Sequence, residues 1–405
     1  MKTITQPLSR AHKFFAFWIF SLLIVFSVGV IAQPPSATIT QGRNGTPSNP
    51  VSPVNWTGGN VGNQQGHYVE CWSVPYRCVM PNMPAGTDVV ITFEFDATHS
   101  SKQAIDFITT YDNMNDNAVS APHSIFGHSP ELIQPWDGTS ILDGSSEVFA
   151  PIPEPPYTGF EMSGQPIPIV PEPVTTFNSF DSDKRRISIF SGDGTATFNY
   201  FGTGTFDDDP TPVATAFEYL TPADLTLAQA SQQFRVYFNT GNGGTIILAW
   251  GGHIASTATW GYDPVTLEPN SAVAINGSPY HMRLIDWNLG NLGHQDLSLN
   301  ADAVYSAPPC DYTIISNPFC VGEGNSATLD QTDPAWTYSW EIVDDPVNPT
   351  GALFDNGLTT TSGSPTVYFN ATSPGQFTLY SQVTVLYNGE ILTSTCGAET
   401  TVVVN

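Results

Sequence analysis

Between Thr87 and Asp96 apolar and polar side chains change places at every residue, with Val89, Ile91, Phe93 and Phe95 on one side and Val90, Thr92, Glu94 and Asp96 on the other. Successive side chains of a strand point to opposite faces, so this period of two predicts a strand with one face buried. Shorter strand-like runs precede it at residues 67–69 and 74–79, and follow it at 186–190, 195–201, 234–238 and 245–250. Glycine-rich turns, Ser191-Gly192-Asp193-Gly194 and Thr240-Gly241-Asn242-Gly243-Gly244, join the last four runs in pairs and predict two hairpins. Residues 102–111 place Ala104, Ile105 and Ile108 at helical spacing and predict a short helix. Residues 34–60, polar and rich in Gly, Pro, Asn and Ser, read as a lead-in with at most an edge strand at 37–40.

From 112 to 182 the pattern dissolves into Asn, Asp, Pro and Gly, with a proline-rich stretch at 151–173. It reads as a long loop that Trp136 and Tyr157 dock onto the sheet. The densest block is 246–304, where His253, His281, His294, Trp250, Trp260 and Trp287 stand among glycine and proline turns. Ser306-Ala307-Pro308-Pro309 reads as a linker, and strand-like runs then recur at 312–315, 327–329, 338–343, 366–369, 377–386 and 400–404. The expected fold is therefore all-β. A large β-sandwich domain over 33–306 precedes a smaller immunoglobulin-like β-sandwich over 310–405, with Trp340 in its core.

Residues 1–32 stand apart from this plan. Lys2, Arg10 and Lys13 form a basic start, residues 14–32 are almost wholly apolar, and Val30-Ile31-Ala32 offers a cleavage site, which together predict a signal peptide cut before Gln33. An uncleaved anchor is the alternative, because about 18 apolar residues can also span a bilayer. Pro34, Pro35 and the lack of a basic stop-transfer cluster favour cleavage. The expectation is a secreted or cell-surface protein with no membrane span after cleavage.

Removing that segment takes three of the 11 Lys+Arg and none of the 37 Asp+Glu, which leaves eight cations against 37 anions and a formal charge of −29. Nucleic acid needs a basic face and is excluded as an expected partner. An extracellular or cell-surface protein or a glycan is expected instead. Five cysteines in an exported chain point to disulfides, with one left over. Cys71 and Cys78, seven positions apart, are candidates for a local clip over a tight reversal.

Two resemblances add to this reading. Cys310, Phe319-Cys320-Val321-Gly322, Tyr338-Ser339-Trp340, Pro374-Gly375-Gln376-Phe377-Thr378-Leu379 and Ser394-Thr395-Cys396 resemble the Ig-like, PKD-related modules of type IX-secreted bacterial surface proteins. Those modules often carry a fourth cysteine where this chain has Glu390, and a WDFGDG signature is missing. The resemblance implies a bridge between Cys310 and Cys396 with Cys320 free, the rival being Cys320 with Cys396. Residues 56–304 resemble an uncharacterised β-rich domain of bacterial exported proteins. Tyr68-Val69-Glu70, Ser73-Val74-Pro75-Tyr76-Arg77, Ala249-Trp250-Gly251-Gly252-His253-Ile254-Ala255, Gly277-Ser278-Pro279-Tyr280-His281 and Gln295-Asp296-Leu297-Ser298-Leu299 carry that likeness. It implies architecture and location, and no activity.

For chemistry, His253, Trp260, Tyr280 and His281 are the candidate ligand-binding residues. His253, His281 and His294 could converge on a metal, since neutral imidazole suits zinc or copper, yet each lies beside a glycine or proline turn where a ring commonly caps backbone. Asp207, Asp208 and Asp209, and also Asp181 and Asp183, could offer oxygen ligands to calcium, against which stands a solvated turn. Trp56, Trp72, Trp136 and Trp260 either stack on sugar faces or plug the ends of the fold. No catalytic residue is assigned, because no nucleophile elbow, HExxH, P-loop or dinucleotide fingerprint occurs. The expectation is a non-enzymatic surface or adhesin-type protein without an obligatory cofactor; the alternative is a carbohydrate-binding or glycoside-cleaving protein with an accessory Ig-like module.

Overall fold

The computed structural model describes residues 33–113, 126, 128, 130–157, 173–206, 209–260, 268–275, 279–306, 308, 310, 312–330, 332, 336–387, 390–396 and 401–405. The predicted signal peptide, residues 1–32, lies outside them. Among the described residues no helix is long and apolar enough to cross a membrane. The chain is all-β; among the described residues its strands pair antiparallel, apart from the short parallel pair Tyr68–Val69 with Val304–Tyr305 and isolated parallel bridges of Val61 with Leu299 and of Phe319 with Val404.

A first seven-stranded sheet runs in the order Asn49–Thr57, Thr38–Thr46, Ser73–Met83, Gly244–Ile254, Arg186–Ser191, Val148–Pro151, with Ile105–Thr109 also paired to Gly244–Ile254. The second runs Thr197–Phe198, Ala230–Asn239, Asp88–His99, Tyr280–Trp287, Gln295–Leu299, joined by Phe217–Tyr219 and Lys102–Gln103. Asp88–His99 owes its place to the alternation noted above: Val89, Ile91, Phe93 and Phe95 are buried, while Val90 and Glu94 are only half-buried. Gly244–Ile254 lies between two neighbours and is buried from Ile246 onward on both faces, which explains its continuous apolar run.

The two sheets share one core. Trp250 of the first, fully buried, sits 4.5 Å from Phe93 and 5.9 Å from Phe234 of the second, centroid to centroid, and stacks at 6.1 Å on Tyr76 of its own sheet. Each large side chain so buried contributes about 1.5–3 kcal/mol. Glycine is required where the sheet is tightest. A Cβ on Gly251 would stand 2.4 Å from the Thr110 carbonyl oxygen, so the short strand Ile105–Thr109 could not approach any other residue there.

Several expectations are corrected. The predicted helix over 102–111 is two strands, Lys102–Gln103 and Ile105–Thr109; all five residues of the second are buried, so its apolar spacing reports burial on both faces and not a helical stripe. The lead-in contains two nine-residue strands, Thr38–Thr46 and Asn49–Thr57, joined by a turn at residues 47–48, with Gly45 at φ +83° beside an irregularity in their pairing. Neither predicted hairpin forms. Arg186–Ser191 belongs to the first sheet and Thr197–Phe198 to the second, and the same split divides Gly244–Ile254 from Ala230–Asn239, so both glycine turns carry the chain from sheet to sheet. Within the predicted loop, Val148–Pro151 is an edge strand and Pro173–Ser179 a helix. Trp136 does dock, its ring 5.6 Å from Phe190.

Residues beyond the linker gather a separate hydrophobic cluster of their own. Its sheets run Tyr312–Ile314, Asn325–Leu329, Thr366–Asn370, Leu353–Phe354, and Thr360–Ser362, Thr337–Asp344, Gly375–Tyr387, Glu390–Cys396, with Thr401–Val404 on Gly375–Tyr387. Trp340 is buried at the centre, edge-on to Tyr312 at 5.2 Å, and its indole donates to the Ser364 carbonyl.

The expected Cys71–Cys78 disulfide is absent: both thiols are free. The reversal assumed between them does not exist, since Ser73–Met83 is one unbroken strand. The five steps from 73 to 78 alone span about 16 Å at 3.3 Å per residue, more than twice the Cα separation of about 7 Å that a bridge tolerates. Cys310 is disulfide-bonded, and Cys320 is free and exposed, which removes the Cys320–Cys396 rival. Burial pushes the Cys71 thiol up to about 12 and also raises that of Cys78. A maleimide is therefore expected to label Cys320 rapidly in the folded protein, half-buried Cys71 slowly, and Cys78 only after denaturation, as read by peptide mass spectrometry. Rapid native labelling of Cys78 would contradict this placement.

Candidate functional site

Asp106 organises the block singled out in the sequence. It lies on Ile105–Thr109, held against Gly244–Ile254 by the close approach at Gly251, with a side chain 1% exposed. Its Oδ2 faces His253 Nδ1 at 3.2 Å, and its Oδ1 accepts from Trp260 Nε1 at 2.8 Å. Its backbone carbonyl accepts from the Tyr157 hydroxyl. His253 is wholly buried, stacked on Phe107 at 4.3 Å and edge-on to Phe180 at 5.5 Å. Two of the predicted ligand residues thus meet, but at a carboxylate closed off from water.

The other two lie apart from Asp106. Tyr280 is buried on Tyr280–Trp287, and burial lifts its phenol well above the usual range. His281, the next residue, turns outward and pairs through Nδ1 with Asp296 at 2.7 Å. Beside it Arg283 binds Asp96 at 2.7 Å and Glu94 at 3.0 Å. Burial works to lower the Arg283 pKa, yet Asp96, Asp296 and Glu94 hold it above its usual value. His294 is exposed. Among the described residues the three histidines are not gathered into a metal-ligand cluster, so the metal weighed for them against a structural role finds no built site there.

Glu70 is a second hub, missed as such by the sequence reading. Its buried carboxylate accepts from Thr257 N at 3.0 Å, Thr257 Oγ1 at 2.9 Å, Ser306 Oγ at 3.0 Å, Val273 N at 3.3 Å and the Ser271 hydroxyl. It ties the turn before Ser73–Met83 to the short helices Thr257–Trp260 and Ala272–Ala274 and to the end of the large core. Burial raises its pKa, against the lowering pull of Ser271, Thr257 and Ser306. In the window above the unfolded value of about 4.3 the folded state keeps a proton that the unfolded chain has released. That stabilisation is complete below the unfolded pKa and is lost as pH rises through the folded one. The excess stability of wild type over Glu70→Gln is accordingly expected to fall as pH rises from 4 to 7 in denaturant titrations; a difference independent of pH would contradict it.

Of the tryptophans, Trp72 and Trp260 are buried, and Trp56 is covered by Arg77, whose guanidinium lies 4.5 Å over the ring. They plug the fold. Asp207 and Asp208 lie outside the described residues, Asp209 begins the strand Asp209–Thr215, and Asp181 and Asp183 are exposed. Among the described residues one cluster has the make-up to hold a metal ion: His67, His128 and Glu131, with their donor atoms within 4.8 Å of one another. Only the spacing of His128 and Glu131 could have hinted at it; His67 is 61 positions before His128. No protein-family model matches this chain, and no curated protein matches it, so residues and geometry alone carry the functional reading.

Proposed function

We propose that this is an exported, non-enzymatic cell-surface protein of adhesin type, a large β-sandwich carrying an Ig-like spacer module. The observation that carries this reading is the closure of the block that looked most like an active site. His253 is 0% exposed, its partner Asp106 is 2% exposed, and the two are packed against Trp260, Phe107 and Phe180. A group that performs acid–base work must reach a substrate proton; these hold strands together. The separate cluster of 310–405, with Cys310 in a disulfide, suits a spacer in an oxidising compartment. Cys396 is its proposed partner, with its backbone opposite Ser381, whose hydroxyl donates to the Cys310 carbonyl.

A second reading, glycan binding, is favoured by one feature. A groove of about 880 Å³ crosses the face of Thr337–Asp344 and Gly375–Tyr387 turned from the core, where Tyr380 stands among Glu341, Asn356 and Gln382. A ring with polar neighbours is the surface on which a sugar stacks. A glycan array with reducing-end release followed in parallel separates the readings. The first expects intact protein on the surface of the producing cell, accessible to added protease, and no sugar released; release of reducing ends would overturn it, and saturable array binding without release would establish the second.

A further inference from the structure

We infer that His67, His128 and Glu131 form a binding site for one divalent transition-metal ion, zinc by the chemistry of the donors, which clamps His128 and Glu131 to His67, itself hydrogen-bonded to Asn44 and Gly45 of the strand Thr38–Thr46. His67 Nε2 lies 3.2 Å and His128 Nδ1 3.6 Å from the same oxygen, Glu131 Oε1. Two ligands bound at about 2.0–2.2 Å to a tetrahedral ion stand roughly 3.3–3.5 Å apart, and the two observed spacings bracket that value.

Proton placement points the same way. His67 Nδ1 is 3.0 Å from the Gly45 carbonyl oxygen, which can only accept, so Nδ1 carries the ring hydrogen. The other ring nitrogen, Nε2, faces the Glu131 carboxylate oxygen at 3.2 Å, the arrangement in which a cation can sit between a ring nitrogen and an anion. A backbone carbonyl that fixes the tautomer of a ligating histidine is the usual outer support of a metal site. Asn44 supplies more of it. Its Nδ2 donates to the His67 carbonyl at 3.0 Å and reaches Glu131 Oε2 at 3.5 Å, while its Oδ1 accepts from His67 N at 2.9 Å.

The surroundings are apolar. Phe126 stands edge-on to His67 at 5.1 Å and lies along His128 at 5.9 Å, backed by Trp72 and Tyr305. His67 and Glu131 are 0% and 1% exposed and His128 16%, so the ion enters on the His128 side. Two imidazoles and one carboxylate suit zinc and leave a fourth position for water; calcium, which takes six to eight oxygens, is excluded by the nitrogens.

Protein stripped with a chelator and titrated with Zn²⁺ against a competing indicator is expected to bind one equivalent, with a rise in melting temperature. His128→Ala, at the most exposed ligand, is expected to weaken binding by more than about 100-fold while the stripped variant melts within a few degrees of stripped wild type. Stripped wild type loaded with Co²⁺ needs no variant and is expected to show the strong visible bands of a four-coordinate ion. No bound equivalent, unchanged affinity in His128→Ala, or the weak bands of a hydrated six-coordinate Co²⁺ would overturn the inference and leave a proton shared between His67 and Glu131.

Discussion

Replacing Asp106 with alanine is expected to lower the unfolding free energy by about 3–5 kcal/mol, the cost of breaking a buried pair from one side. The substitution strips His253 Nδ1 and Trp260 Nε1 of the carboxylate they share, and a buried polar group that loses its partner costs about 1–3 kcal/mol. Asp106→Asn keeps an oxygen for the indole and an amide for the ring, and is expected to cost less than half as much. Urea titrations of the two variants check the order. Equal losses would mean that the negative charge with its two acceptor oxygens, and not the shape that asparagine preserves, carries the interaction.

The second large effect is at Trp250. Trp250→Ala is expected to cost about 3–5 kcal/mol in denaturant unfolding, because it opens a cavity where the two large sheets meet against Phe93, Phe234 and Tyr76. Trp250→Phe is expected to cost much less. The indole N–H finds no acceptor among the described residues, so phenylalanine gives up volume but no hydrogen bond. A large loss in Trp250→Phe would show that the N–H is satisfied after all.

These residues also show how far the sequence could be read. The strand Asp88–His99 was legible because one of its faces carries mostly polar side chains, half-buried or hydrogen-bonded, and the alternation survives. Ile105–Thr109 was not, since a strand buried on both faces loses its period and Ala104, Ile105 and Ile108 then mimic a helix. Asn49–Thr57 was hidden for the opposite reason: at the sheet edge only Val54 is buried, and the rest resembles a polar loop. Glycine turns announced a change of direction correctly, but local turn chemistry cannot say whether the next strand pairs with the last or crosses to the facing sheet. The site was less legible than the fold. His253 was singled out, but Asp106 stands 147 positions away, and Glu131 reaches His67 across 64. No spacing rule spans such distances, which only the strand order closes.

The claim on which the rest depends is that the histidines and tryptophans of residues 246–304 serve the fold. Diethylpyrocarbonate acylation of the folded protein, read by peptide mass spectrometry, tests it most directly. His253, fully buried between Phe107 and Phe180, is expected to stay unmodified, while exposed His294 and His281, with a side chain 23% exposed, are acylated. Acylation of His253 at the rate of His281 would contradict the claim and return that ring to the list of reactive groups.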